Sequence, residues 1–154
     1  MKLTSPAFQD GEIIPSLYTC EGKNINPPLE INGVPTAAKS LVLIMDDPDV
    51  PAFVRADQMY DHWVLFNIPP KTHKIPEHAS SPPGIQGRNT AGANQYTGPC
   101  PPDRQHRYFF KLYALDATLH LPAGSTKKEV EKAMEGHILV QSQLVGLYEK
   151  GKGY

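Results

Sequence analysis

The chain has 154 residues, 15 basic and 16 acidic side chains, and a hydrophobic share of 40%. Its near-zero net charge excludes the basic excess of proteins that bind nucleic acids or acidic membrane surfaces. The 16 prolines, about twice the usual ~5% share, exclude a helical bundle. This length suits one domain with a buried core, so we expect a single domain over residues 1–154.

The amino-terminal stretch Met1–Phe8 lacks the apolar run of a signal peptide. No stretch approaches the ~18 consecutive apolar residues of a membrane span. We therefore expect a soluble cytoplasmic protein without stable membrane insertion. The two cysteines, Cys20 and Cys100, are too few for a disulfide scaffold or a zinc site, so free thiols are the default expectation.

Strand patterns dominate the first half of the chain. Frequent prolines and glycines limit residues 1–40 to short elements, such as Leu29–Asn32. Ser40–Met45 is a continuous apolar run, typical of a central strand that is buried on both faces. His62–Ile68 has a second strong strand pattern. Residues 71–97 have little periodicity, and an irregular segment of this length in a compact domain is often functional.

A proline-rich segment, Gly98–Asp103, leads into a third strong strand pattern over His106–Asp116. Proline fixes φ and donates no backbone hydrogen bond, so this segment is predicted to be stiff. Alternation then places His106 and Tyr108 on one face of the strand, with Phe110 and further apolar residues beyond them. This pattern predicts a small polar pocket seated on the apolar core.

The last quarter of the chain has a helical pattern. Thr126 and Glu129 fit a capping box, in which each side chain satisfies a free backbone amide at the start of a helix. Apolar residues from Val130 to Tyr148 keep roughly helical spacing. Gly136 weakens such a helix by ~1 kcal/mol relative to alanine and can divide it. We therefore expect a β-rich body followed by a helical carboxyl terminus.

Polar side chains lie at the boundaries of all three strong strands. Asp47 and Asp49 follow the first, His62 begins the second, and His106 and Tyr108 begin the third. Because neighbouring antiparallel strands run in opposite directions, these boundaries can meet at one edge. A protonated histidine oriented by an aspartate supplies charge-assisted hydrogen bonds. The set therefore suits a small anion such as a phosphate monoester.

Other interpretations of these residues stay open at this point. His62 alone is more often a core residue, the aspartates turn residues, and Tyr108 a core residue with a hydrated hydroxyl. A zinc or iron triad gains little support, because no His-x-His or His-x-x-x-His pair occurs. A nucleophilic Cys20 or Cys100 would need a histidine partner. There is no Gly-x-Ser-x-Gly elbow and no P-loop.

Several motifs occur in a fixed order along nearly the whole chain. The longest are Asp47-Pro48-Asp49-Val50-Pro51 followed by His62, and Gly98–Pro102 followed by His106-Arg107-Tyr108. The shorter ones are Tyr18–Gly22, Pro27–Leu29, Lys39–Leu41, Tyr113–Asp116 and Gly136–Ile138. Together they resemble the phosphatidylethanolamine-binding proteins, also known as Raf-kinase-inhibitor-like proteins, and within them the compact bacterial and archaeal branch.

The resemblance implies a fold and a site. The fold would be a mainly β, Greek-key sandwich of two antiparallel sheets with a carboxyl-terminal helical segment. The site would be a pocket for phosphate, phosphoryl head groups or acetate-like anions. Carried over by position, its residues are Asp47, Asp49, Pro51, His62, Gly98, Pro99, His106 and Tyr108, with Tyr60 a weaker candidate at the rim. In it, His62 and His106 flank the anion, Asp47 holds an imidazole, and amides around Gly98 donate.

The resemblance also implies a non-enzymatic binding protein without a cofactor or metal. Its ligand would be a phosphorylated small molecule, a lipid head group or a phosphorylated side chain. An alternative is an inhibitor of a serine protease or kinase pathway that presents residues 71–97 to its target; a hydrolase that uses the histidines as acid and base is a weaker one. A homodimer is expected. Cys20 and Cys100 would lie close enough for a redox-linked disulfide, although a cytoplasm keeps such a pair reduced.

Overall fold

The computed structural model describes residues 1–152 and forms two β-sheets and one α-helix, which confirms the predicted mainly β fold. The strands are β1 Lys2–Thr4, β2 Glu12–Ile13, β3 Leu29–Asn32, β4 Ser40–Asp47, β5 Tyr60–Ile68, β6 Lys74–Ile75, β7 Ile85–Gln86, β8 His106–Leu115 and β9 Ile138–Tyr148, and the helix is α1 Lys127–Met134. Within this described part, no helix has both the length and the apolarity needed to span a membrane.

The larger sheet has the strand order β2-β9-β8-β4-β5-β7, and the smaller sheet has the order β1-β3-β6. Every pairing is antiparallel except that between β2 and β9, which is parallel. The prediction of wholly antiparallel sheets is therefore wrong at this one edge, where the two-residue β2 adds to the end of the sheet.

Strand β4 lies at the centre of the larger sheet and is buried along its whole length. Leu41, Leu43 and Met45 belong to the main core, which includes residues of both sheets. Val42 and Ile44 belong to a second core on the opposite face, together with residues of α1. The continuous apolar run of β4 thus reflects burial on both faces, as predicted.

The carboxyl-terminal helix is shorter than predicted. The Thr126 capping box opens α1 as expected, but Gly136, with a φ of 80°, follows the end of the helix at Met134. Residues 138–148 form strand β9, not a helix, and pair with β8 along its entire length. Residues four positions apart lie on the same side of a helix and also on the same face of a strand, so the apolar spacing fits both structures. Pairing with β8 makes this segment a strand.

Residues 71–97 contain only two short strands, yet side-chain hydrogen bonds attach them to the body of the protein. The buried Asn89 amide donates to the His62 carbonyl and to the Thr97 hydroxyl. The Tyr96 hydroxyl donates to the Tyr18 carbonyl over 2.7 Å. The segment therefore braces one wall of the fold, and its use as an inhibitory loop stays a prediction.

Cys20 and Cys100 form a disulfide, so the default expectation of free thiols is wrong. The Cys20 amide also donates to the Pro99 carbonyl, and both cysteines are exposed. The expectation rested on the reducing power of a cytoplasm, while the bond depends on two distant segments that the fold brings together. The cytoplasmic location itself stays a prediction.

We expect the Cys20→Ser/Cys100→Ser double variant to fold but to lose stability. The bond joins residues 80 positions apart, and closing a loop of that size removes up to about 4 kcal/mol of unfolded-chain entropy. Urea unfolding of the variant, beside wild type with and without a dithiol reductant, measures the loss. Two free thiols in denatured, air-purified wild type would contradict the bond.

Candidate functional site

The strand register brings the three polar boundaries together at one end of the larger sheet. Asp46 of β4 is paired with Asp61 of β5 on one side and with Phe109 of β8 on the other. Asp47 is opposite Tyr60 at the start of β5. The end of the central strand therefore lies between the starts of its two neighbours, as the antiparallel argument predicts.

A cavity of about 210 Å³ opens at this end of the sheet. It is lined by Asp47, Val50, Val54, Tyr60, His62, Thr97, Gly98, Cys100, Pro101, Pro102, His106 and Tyr108. Five of the eight predicted site residues, and the rim candidate Tyr60, are among them. The other three, Asp49, Pro51 and Pro99, do not line it.

His106 is fully buried and has a carboxylate at each ring nitrogen. Nδ1 lies 2.6 Å from Oδ2 of Asp47, and Nε2 lies 2.6 Å from Oδ1 of Asp103. Each carboxylate lies within hydrogen-bond distance of one ring nitrogen, so both nitrogens of His106 are occupied. Burial raises the pKa of Asp47, and the hydrogen bonds from His106 and from the Asp49 amide oppose that rise.

His62 is also buried, but its chemistry is different. Burial lowers its pKa to about 4, so the ring is neutral near pH 7. Its Nδ1 lies 2.6 Å from the Thr97 carbonyl oxygen, to which it donates. In this tautomer Nε2 carries no hydrogen. The two histidines expected to flank the anion therefore differ, because His106 lies between two carboxylates and His62 is a neutral ring.

The Tyr108 hydroxyl is buried and makes no well-formed hydrogen bond within residues 1–152, although the Asp47 carboxylate lies close enough to act on it. Burial raises its pKa, and the negative charge of Asp47 raises it further. Its ring lies between the two histidines, with centroids 5.3 Å from His62 and 6.4 Å from His106. A buried hydroxyl without a well-formed hydrogen bond is costly, so this one lies ready for a group that enters the cavity.

The three predicted residues outside the cavity wall have structural contacts. Asp49 accepts hydrogen bonds from the Arg107 backbone and guanidinium, and this contact lowers its pKa. The Pro51 carbonyl accepts a hydrogen bond from the Val54 amide in a turn that sets Val54 beside the cavity. The Pro99 carbonyl accepts a hydrogen bond from the Cys20 amide.

Gly98 lines the cavity, but its amide already donates to Oδ1 of Asn24 over 2.7 Å. It therefore does not offer the free donor that the resemblance implies. The glycine is needed for space, because a Cβ at this position would come within 2.2 Å of the Tyr18 carbonyl oxygen.

Sequence reasoning missed Asp103 and most of the apolar wall. Asp103 follows a Pro-Pro pair and lies three residues before His106, a spacing that a turn can close, but aspartate is common in turns. Val50, Val54, Pro101 and Pro102 give no chemical signal of their own. They line the cavity because their loops fold over the ends of β4, β5 and β8.

The chain matches known proteins over nearly its whole length. The sequence model of the family described as phosphatidylethanolamine-binding protein matches residues 4–149. The chain belongs to the phosphatidylethanolamine-binding protein family. Among curated members, a UPF0098 protein of Methanothermobacter thermautotrophicus is 50% identical, with 98% of this chain and all of that protein covered. A UPF0098 protein of Chlamydia trachomatis is 49% identical over 97% of this chain and 99% of its own.

Two solved structures of the family have the same fold. The homologue CT736 of Chlamydia trachomatis superimposes with a TM-score of 0.92 at 48% identity, covering 96% of each chain. YbcL of Escherichia coli, described as a member of the mammalian family, has a TM-score of 0.86 at 29% identity, covering 96% of this chain and 97% of its own. These matches support the bacterial and archaeal branch of the phosphatidylethanolamine-binding proteins.

The cavity contains carboxylates and imidazoles, but their arrangement differs from a metal centre. Among the residues that the structure describes, no group of three or more His, Cys, Asp or Glu side chains could hold a metal ion. The imidazole of His106 is instead enclosed by two carboxylates through hydrogen bonds. The cavity can form hydrogen bonds through the His106 ring between its two carboxylates, the Tyr108 phenol and the neutral imidazole of His62.

His62 should make the protein less stable in mild acid. An unfolded chain binds this proton near the ordinary pKa of 6.5, whereas the folded pKa is about 4. Stability from neutral His62 is therefore complete above pH 6.5 and falls as the pH drops toward 4, by about 3 kcal/mol in all. The His62→Asn variant keeps a donor for Thr97, so its urea-unfolding free energy should fall less between pH 7.5 and 4.5.

The ring itself provides a second measurement. The ¹³Cε1 shift of His62 should keep its neutral value down to about pH 5. Equal acid losses in wild type and His62→Asn, or a ring that titrates near pH 6.5, would contradict the burial argument.

Proposed function

We propose that this protein binds a small phosphorylated ligand in the cavity at the end of β4, β5 and β8, without chemical turnover. The ligand class is a phosphorylated small molecule, a lipid head group or a phosphorylated side chain. The observation that carries the proposal is the buried Tyr108 hydroxyl, which makes no well-formed hydrogen bond within the described residues and lines the same cavity as His106. A phosphoryl group has three acceptor oxygens and so can accept from both.

The Asp47–His106 contact supports an anion at the other side of the ring. Asp47 is almost completely buried and also accepts from the Asp49 amide over 2.8 Å, so its position is fixed. It orients the ring through Nδ1, as a carboxylate partner of histidine generally does. Nε2 of His106 is then the ring nitrogen at which a ligand oxygen can replace the present hydrogen-bond partner.

The walls of the cavity set its size and polarity. Val50, Val54, Pro101 and Pro102 supply apolar surface around the polar groups. Excluding water strengthens a hydrogen bond between opposite charges. A volume of about 210 Å³ lies below the ~300 Å³ at which drug-sized sites begin, so the cavity suits a head group or a phosphorylated side chain.

The central test is an NMR titration with inorganic phosphate, O-phosphoethanolamine and a phosphoserine peptide at constant ionic strength. Saturable shifts at His62, His106 and Tyr108 are expected, and they should be lost in His106→Gln. His137→Gln is the matched control, because His137 pairs with Asp116 on the surface. Absence of shifts with all three probes would overturn the proposal, as would phosphoester turnover that depends on His106.

Tyr108→Phe should separate binding from stability. Because its hydroxyl makes no well-formed hydrogen bond, its loss should change the unfolding free energy by less than about 1 kcal/mol, while phosphate affinity falls about tenfold. The matched variant Tyr96→Phe should behave in the opposite way. It breaks a buried hydrogen bond to the Tyr18 carbonyl, so stability should fall by about 1 kcal/mol with phosphate affinity unchanged.

Urea unfolding and isothermal titration calorimetry give the two quantities. If Tyr108→Phe lost stability and kept its phosphate affinity, the hydroxyl would be a structural group and not a ligand donor.

A further inference from the structure

His106 has no free hydrogen-bond donor in this structure. Asp47 takes one nitrogen and Asp103 the other, each over 2.6 Å. His62 is neutral near pH 7 because burial lowers its pKa to about 4. An anion that entered the cavity would find both ring nitrogens of His106 occupied by carboxylates, and it could reach a ring nitrogen only by replacing one of them. Binding therefore requires one carboxylate to leave His106.

The two carboxylates differ in how easily they can leave. The Asp47 side chain is 3% exposed, so removing it from His106 would leave a buried charge without a partner. The Asp103 side chain is 29% exposed and can turn toward water. Its second oxygen also lies 3.6 Å from Nε of Arg104. This exposed cation can pair with the Asp103 carboxylate after the carboxylate moves away from His106.

The backbone around Asp103 favours a side-chain movement over a rearrangement of the loop. Pro101 and Pro102 precede it and restrict φ at both positions. The neighbouring Cys100 is held in the disulfide, and the Arg104 guanidinium donates to the Asp49 carbonyl over 3.2 Å. Rotation of the Asp103 side chain can thus expose Nε2 of His106 while the walls of the cavity stay in place.

We propose that Asp103 is an internal anion that occupies the ligand position on His106 and makes the cavity selective for phosphoryl groups over carboxylates. This inference rests on the proposed function. A free carboxylate only replaces the bond that Asp103 already makes, and Asp103 acts at the high effective concentration of an attached group. A phosphoryl dianion carries a second charge and three acceptor oxygens, so it gains more from the exchange than a carboxylate, which has one charge and two oxygens.

The test is calorimetric titration with inorganic phosphate and with acetate at pH 7 and constant ionic strength. Wild type should bind phosphate and give no measurable heat with acetate. In Asp103→Ala, phosphate affinity should rise about tenfold and acetate should bind measurably. Asp116→Ala is the matched control, since it removes an exposed aspartate that pairs with His137 at the opposite end of β8. It should match wild type with both anions.

The outcomes separate this inference from the proposed function. Phosphate binding by wild type, with equal or weaker binding by Asp103→Ala, would overturn the role of Asp103 and leave the phosphoryl site standing. Equal binding of acetate and phosphate by wild type would also overturn it. Phosphate binding by Asp103→Ala alone would overturn the proposed selectivity, because wild type would then bind neither anion. Failure of both proteins to bind phosphate would overturn the proposed function together with the inference.

Discussion

The buried contact between Asp47 and His106 joins the end of the central strand β4 to the start of β8. Each group is costly to bury alone, and the cost falls only when the two meet at short range. The antiparallel register, set by the apolar residues of both strands, is what brings them together. The site thus depends on the core, and the charges of the site in turn require that register and no other.

Two consecutive aspartates at the end of β4 have opposite roles because strand side chains alternate. Asp46 lies on the outer face, where it forms ion pairs with Lys111 of β8 and Lys127 of α1. Asp47 lies on the inner face and holds His106. One end of one strand therefore attaches the helix on one side and organises the cavity on the other.

Membership of the phosphatidylethanolamine-binding protein family is established by matches that span nearly the whole chain. The chemistry of the pocket has to be argued from its own atoms. These atoms describe a closed arrangement, in which both ring nitrogens of His106 are occupied by carboxylates and the Tyr108 hydroxyl makes no well-formed hydrogen bond. Both features point to exchange of hydrogen-bond partners as the physical basis of ligand selection.

The sequence by itself determined the parts of the molecule that rest on local patterns. The two-sided burial of Ser40–Met45 follows from a continuous apolar run, the inner face of β8 from alternation, and the start of α1 from the Thr126 capping box. The motifs around Asp47 and His106 were enough to predict the family. In each case the deciding residues are neighbours in the chain or repeat with a fixed period.

Only the tertiary structure decided the rest, because it depends on contacts between distant residues. Pairing with β8 made residues 138–148 a strand, and the meeting of two loops joined Cys20 to Cys100. Asp103 and Asp49 look alike in sequence as aspartates in proline-rich turns. The loops place Asp103 beside Nε2 of His106 and Asp49 beside Arg107. No local sequence pattern encodes that difference.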